Sequence, residues 1–109
     1  MEEKLLKIIN HYGVLPQLKY FQSEVFELDE AIIDYQLTKV SVDKLKETHE
    51  EKVKHIAEEI ADIEVMLLQF KEYYHIDGNE ILRIMNEKID RQLGRIENEN
   101  NNVWFIRTN

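Results

Sequence analysis

Pro16-Gln-Leu-Lys-Tyr-Phe-Gln-Ser-Glu-Val-Phe-Glu-Leu-Asp-Glu-Ala-Ile-Ile-Asp-Tyr-Gln-Leu37 carries the fold in its spacing. Within this stretch Leu18, Phe21, Val25, Leu28, Ile32 and Tyr35 recur at steps of three and four residues. That is the period of an amphipathic helix with one apolar seam. Pro16 stands where a helix opens, since the N–H it lacks is one that the first turn leaves unbonded. Phe26, Ile33 and Leu37 form a second apolar stripe. One partner helix does not cover both, so a further contact, such as another subunit, is expected.

Three more helices follow from the same reasoning. One spans about Glu2 to Tyr12 and ends at Gly13, a C-cap residue. Another carries Val53, Ile56, Ile60, Ile63, Leu67, Phe70 and Tyr74, again at alternating steps, and ends near His75 with Asp77-Gly78 as the turn. Asn79 is the expected N-cap of the last helix, whose core face is Leu82, Met85, Ile89 and Ile96, with Gly94 weakening its end. Between the second and third helices, 38–54 is the most polar segment. It reads as a loop, as a short helix capped by Ser41 and starting at Val42, or as the exposed start of the third helix. The expectation is an all-α, four-helix bundle-like fold completed by homo-oligomerisation, with residues 1–97 as one domain. Residues 98–109 form an asparagine-rich tail whose Val103-Trp104-Phe105-Ile106 is apolar enough to dock.

Composition agrees with helices and removes several function classes. Three glycines and one proline make about 4% of the 109 residues, against roughly 12% in an average protein. Few tight turns can be built from so little. With 43% hydrophobic and 33% charged residues the chain is not a disordered acidic tail. Its longest apolar run is Val65 to Leu68, far short of the roughly 20 residues of a membrane span. Met1-Glu2-Glu3-Lys4 lacks the apolar core of a secretory signal, and there is no cysteine for disulfides or thiolate metal sites. A cytoplasmic setting is expected. The net charge of −8 disfavours wrapping nucleic acid, which demands Lys and Arg against phosphates.

Within that acidic excess, two pairs stand in register. Glu24 and Glu27 on the second helix, and Glu59 and Asp62 on the third, are each spaced i,i+3 and project from one helix face. Each acid directly precedes a seam residue: Val25, Leu28, Ile60 and Ile63. With the seam labelled a and d, Glu24 and Glu59 fall at g, so antiparallel packing brings both pairs together at the margin of the core. Four like charges there repel unless a cation sits among them, and carboxylate oxygens are hard ligands suited to Mg²⁺ or Mn²⁺. The same spacing also arises on ordinary solvated helix faces in a chain with 22 acids. On the fourth helix Lys88, Arg91 and Arg95 repeat the phase with opposite sign. Such cations suit a phosphate chain beside a metal, while i,i+4 pairing of Arg91 with Glu87 is the plainer account of one of them.

These residues resemble a known family. Ser23-Glu-Val-Phe-Glu-Leu-Asp-Glu-Ala-Ile32 is similar to the first motif of MazG-type all-α nucleotide pyrophosphohydrolases. Glu58-Glu-Ile-Ala-Asp62 is similar to the second, and Glu87-Lys-Ile-Asp-Arg91 to the K-x-x-R element that follows. The resemblance runs from about Pro16 to Glu97. It implies a helical dimer or tetramer that hydrolyses a nucleoside triphosphate to the monophosphate and pyrophosphate with Mg²⁺. Carried over, Glu24, Glu27, Glu59 and Asp62 are the metal ligands and catalytic carboxylates, and Lys88 and Arg91 contact the phosphates. The 31 residues between Glu27 and Glu59 exceed the family's usual spacing, and 38–54 is where the excess lies. Asp29, Glu30 and Glu58 match no required position. Tyr20, Phe21 and Gln22 are candidates for base recognition, with core packing the preferred reading of Phe21.

Three other readings compete on the same residues. Glu72-Tyr-Tyr-His75 is one E-x-x-H, half of what a di-iron bundle requires. A non-catalytic acidic helical module that binds a basic protein would have no reason to keep the acids and cations in phase. A phosphoribosyl-ATP pyrophosphohydrolase would share fold and metal chemistry but differ in substrate.

Overall fold

The computed structural model describes residues 1–40 and 46–108, with side chains over 1–37 and 49–101. It is all-α, with four helices and no strand among the described residues: α1 Glu2–Tyr12, α2 Val14–Val40, α3 Lys46–Tyr73 and α4 Gly78–Thr108. None of them is long and apolar enough to cross a membrane. The chain divides into two compact units, Met1–His75 and Ile76–Asn109.

In the first unit, α1 opens with Glu2 and Glu3, whose charges suit the exposed N–H groups of a helix start. It ends where the Gly13 N–H donates to the Ile9 carbonyl at 2.8 Å. Gly13 takes φ 93°, a conformation in which a β-carbon is strained, and this single residue turns the chain from α1 into α2. The second helix therefore starts at Val14, two residues before the expected Pro16. Pro16 still lies in the first turn, where a missing N–H costs nothing.

α2 and α3 form the principal interface, and α1 covers α3 and touches α2. The pairing is antiparallel: Gln17 meets Gln69, Phe21 meets Phe70, and Asp34 meets Lys52 near the other end. The expected seam is half right. Its row Phe21, Leu28 and Tyr35 is largely covered, as is Ile56, Ile63 and Phe70 on α3. The companion rows are not. Leu18, Val25 and Ile32 are exposed, as are Val53, Ile60 and Leu67. In their place Gln17, Glu24 and Ala31 of α2 face inward with Glu59 and Met66 of α3. Each helix is thus rotated toward the residues that precede the apolar row. The fully apolar core is small, comprising Leu5, Ile9, Ala31 and Met66 among the described residues.

α3 stops as His75 adopts φ 54° and donates its N–H to the Glu72 carbonyl at 3.2 Å. His75 is therefore a turn residue and not on a helix face with Glu72, whose carboxylate pairs with Lys71 at 2.8 Å. The second unit opens on Asp77. Its carboxylate accepts from the Asn79 N–H at 2.9 Å, and its carbonyl accepts from Glu80 and Ile81. Asp77 is the cap, where Asn79 was expected: its carboxylate meets the N–H two residues on, as an N-cap side chain does. Gly78 is accordingly the first helical residue. α4 then runs through Gly94 to Thr108, so the expected boundary at residue 97 falls inside a continuous helix. Leu82, Met85, Ile89 and Ile96, expected as its core face, are exposed in this chain. Ser41 and Val42, and the side chains of 103–106, lie outside the described residues.

Gly13 and Gly94 make opposite predictions. Gly13→Ala places a β-carbon at φ 93°, with only an ordinary contact to Pro16 at 3.6 Å, and should cost about 1 kcal/mol or more. Gly94→Ala adds a β-carbon that meets nothing within 4 Å, and should stabilise α4 by about 0.5–1 kcal/mol. Urea unfolding followed by circular dichroism measures both signs.

Candidate functional site

The inward row of α2 and α3 is where the acids meet. Glu24 is 4% exposed and Glu59 8% exposed, while Glu27, one turn from Glu24, remains open to solvent. One carboxylate oxygen from each of these three glutamates lies within 4.8 Å of the others. The antiparallel pairing of α2 with α3 produces this convergence, as the spacing had implied. Its depth is different. Glu24 and Glu59 occupy core-facing positions and not the margin, because the apolar rows beside them turn outward.

Buried carboxylate oxygens normally find donors. Here Glu24 Oε2 and Glu59 Oε2 are both buried and have no hydrogen-bond partner. Two unpaired carboxylate oxygens held out of water in neighbouring side chains are unfavourable unless a proton or a cation joins them. Burial raises the proton affinity of Glu59 above the ordinary glutamate range, and the charges of Glu27, Glu24 and Asp62 raise it further. His55 opposes this weakly, with Nε2 at 3.8 Å from Glu59 Oε1 and Nδ1 at 4.0 Å from Glu58 Oε2.

Tyr20 ties the cluster to the turn before it. Its hydroxyl is hydrogen-bonded to Glu24, one turn along the same helix, and that bond together with the Glu24 charge raises its proton affinity. Asp62 acts on both Tyr20 and Glu59 through its charge, although it is not among the three carboxylates within 4.8 Å. Two cavities border these residues. One, of about 400 Å³, is lined by Glu27, Glu59, Glu30, Asp34 and His55. Glu30 matched no motif position, yet it shares this acidic cleft. The other, of about 570 Å³, has Asp62 and Tyr20 on its wall.

The remaining expected residues fall into place less closely. Phe21 packs edge-on against Phe70, ring centroids 5.9 Å apart, so it belongs to the core. Gln22 is exposed. Lys88 and Arg91 are exposed on α4, in the second unit. Glu87 bonds Arg83 at 2.8 Å, one turn earlier, where pairing with Arg91 was the plainer reading. Sequence reasoning missed Gln17, Gln69 and His55. The signal for the two glutamines was present, since both occupy the inward row that apolar periodicity alone did not select. Matches to this chain were sought among protein families, curated proteins and solved structures, and none was found.

The three donors are all oxygens and all anionic, a set that fits a hard divalent cation such as Mg²⁺ or Mn²⁺. The two orphaned oxygens are what such an ion would satisfy. Without one, Glu59 holds its proton more tightly in the folded chain than in the unfolded chain. Stability in EDTA should therefore rise as pH falls from above the raised Glu59 value toward the ordinary glutamate range. Glu59→Gln should be more stable than the parent chain in EDTA at neutral pH, the gap closing on acidification. Thermal unfolding in EDTA from about pH 8 to about pH 4 reads this out. Parallel curves for the two proteins would contradict the buried-charge account.

Proposed function

We propose that the chain is a Mg²⁺-dependent nucleotide pyrophosphohydrolase that converts a nucleoside triphosphate, ribo or deoxyribo, to the monophosphate and pyrophosphate. The observation that carries this reading is the pair of buried, unpartnered carboxylate oxygens of Glu24 and Glu59 beside Glu27. A solvated helix face does not bury two acids against each other. The order of the three sequence motifs supports it.

Glu24, Glu27 and Glu59 would hold the metal, with Asp62 joining them directly or through water. Mg²⁺ bound there would offset phosphate charge and lower the pKa of a coordinated water. The chain's own part is to aim carboxylates at the α-phosphorus. Water adds an oxygen to that phosphorus, the bond to the bridging oxygen of the β-phosphate breaks, and pyrophosphate departs with the electron pair. The proton released by the water passes to a carboxylate of the cluster and then to solvent. Lys88 and Arg91 enter the proposal from the sequence resemblance, as cationic contacts to the phosphates. Homodimer or homotetramer formation belongs to the same reading. It is supported by the exposed apolar rows Leu18, Val25, Ile32 and Ile60, Leu67, which are a heavy load for water-facing surface.

The test is pyrophosphate release from each common NTP and dNTP, with Mg²⁺ and with EDTA. Turnover is expected with Mg²⁺ only. Glu59→Gln should lower kcat by about a hundredfold or more with helicity intact, the scale on which removal of a group acting in the transition state is felt. A folded chain that turns over none of these substrates would leave the acidic interaction module as the better account.

A further inference from the structure

The larger cavity is not explained by phosphate chemistry. It lies wholly within the first unit, and at about 570 Å³ it is in the size range of small-molecule sites, roughly 300–1,000 Å³. Its wall includes Tyr12, Gln17, Tyr20, Asp62, Met66 and Gln69. Resting on the pyrophosphohydrolase reading, we infer that this cavity seats the nucleobase of the substrate and that the amides of Gln17 and Gln69 read its hydrogen-bonding edge.

Gln69 is 2% exposed and Gln17 is 8% exposed, so both are amides taken almost fully out of water. Gln17 Nε2 donates to Gln69 Oε1 at 2.7 Å. Beyond that bond, the nitrogens of both meet the Met66 sulfur, at 4.0 Å from Gln17 and 3.6 Å from Gln69. A thioether is a weak acceptor, whereas a primary amide offers two donors and a carbonyl with two lone pairs. The pair therefore keeps hydrogen-bonding capacity beside an open volume. A planar heterocycle with adjacent carbonyl and N–H groups has the complementary edge, and the soft contact to Met66 is easily displaced.

The surroundings fit that ligand and give it a direction. Tyr12 and Tyr20 stand at the wall with more than half their surface free, and aromatic faces stack on bases of any sequence. Tyr20 bonds Glu24 of the carboxylate cluster, and Asp62 belongs to the wall while its charge acts on Glu59. A nucleotide with its base in the cavity thus has its phosphates toward the carboxylates.

Two measurements separate this inference from the function on which it rests. In the first, the parent chain in EDTA is titrated with free nucleosides, which carry no phosphate, while side-chain amide NMR signals of Gln17 and Gln69 are followed. Saturable shifts at those amides are expected from at least one nucleoside; their absence overturns the inference, whatever the enzyme assay gives. In the second, Gln69→Leu and Gln17→Leu are assayed against the NTP and dNTP series and against methyl triphosphate, which has no base. KM for the preferred base should rise roughly tenfold, the size of one lost hydrogen bond, and by a larger factor than KM for methyl triphosphate. Turnover with an unaltered base ranking in both variants would overturn the nucleobase assignment and leave pyrophosphate release standing. Should one variant fail to fold, the other and the nucleoside titration decide.

Discussion

Glu24 and Glu59 meet inside the α2–α3 interface, each with a buried oxygen that no hydrogen-bond donor of the chain meets. Burial favours the neutral form of a carboxyl, and a second carboxylate nearby favours it further. A helix pair selected only for stability would place leucine or isoleucine at these positions, and the chain has such residues one step away. Val25 and Ile60 directly follow the two glutamates and are left exposed. At these positions the helices are set so that Glu24 and Glu59 face inward while Val25 and Ile60 face outward, a local reversal of what hydrophobic burial alone favours. Such local conflict is expected at functional sites, where a fold gives up some stability for chemistry.

The rest of the first unit accommodates that choice. The rows above and below the glutamates are polar or small at Gln17 and Ala31, and the aromatic contact of Phe21 with Phe70 supplies packing beside them. α1 adds Leu5 and Ile9, the latter fully buried, held in place by the corner at Gly13. Lys52 pairs with Asp34 across the interface, a cation at the rim of a strongly acidic cleft. On the opposite side the acids give way to the amides of Gln17 and Gln69 and to tyrosine rings. Carboxylates, amides and tyrosine rings thus adjoin one another within the first unit, contributed by α1, α2 and α3.

Helix number and type were legible in the sequence, because period and the scarcity of glycine and proline act locally. The spacing pointed to a meeting of Glu24, Glu27, Glu59 and Asp62, and the structure brings the first three within 4.8 Å, with Asp62 outside that group. Depth was not legible. Periodicity identifies a face about one residue wide on either side, and the rows Gln17–Glu24–Ala31 and Leu18–Val25–Ile32 differ by one position. Hydrophobicity favours the second, and only the tertiary arrangement of α1, α2 and α3 selects the first. The cap of α4 was misplaced because Asp77 and Asn79 are both good cap residues two positions apart, and the structure uses Asp77. The pairing of Glu87 with Arg83, one turn before Arg91, is a choice between two equal spacings that sequence leaves open.

The central claim is that the inward-facing glutamates are a cation site. Mn²⁺ binding, followed by the loss of the free-ion electron paramagnetic resonance signal, measures it without any substrate. Saturable binding by the parent chain is predicted, competed by Mg²⁺ and abolished in Glu59→Gln while the helical circular dichroism spectrum is kept. Binding that is absent, or that survives unchanged in a folded Glu59→Gln variant, would contradict it.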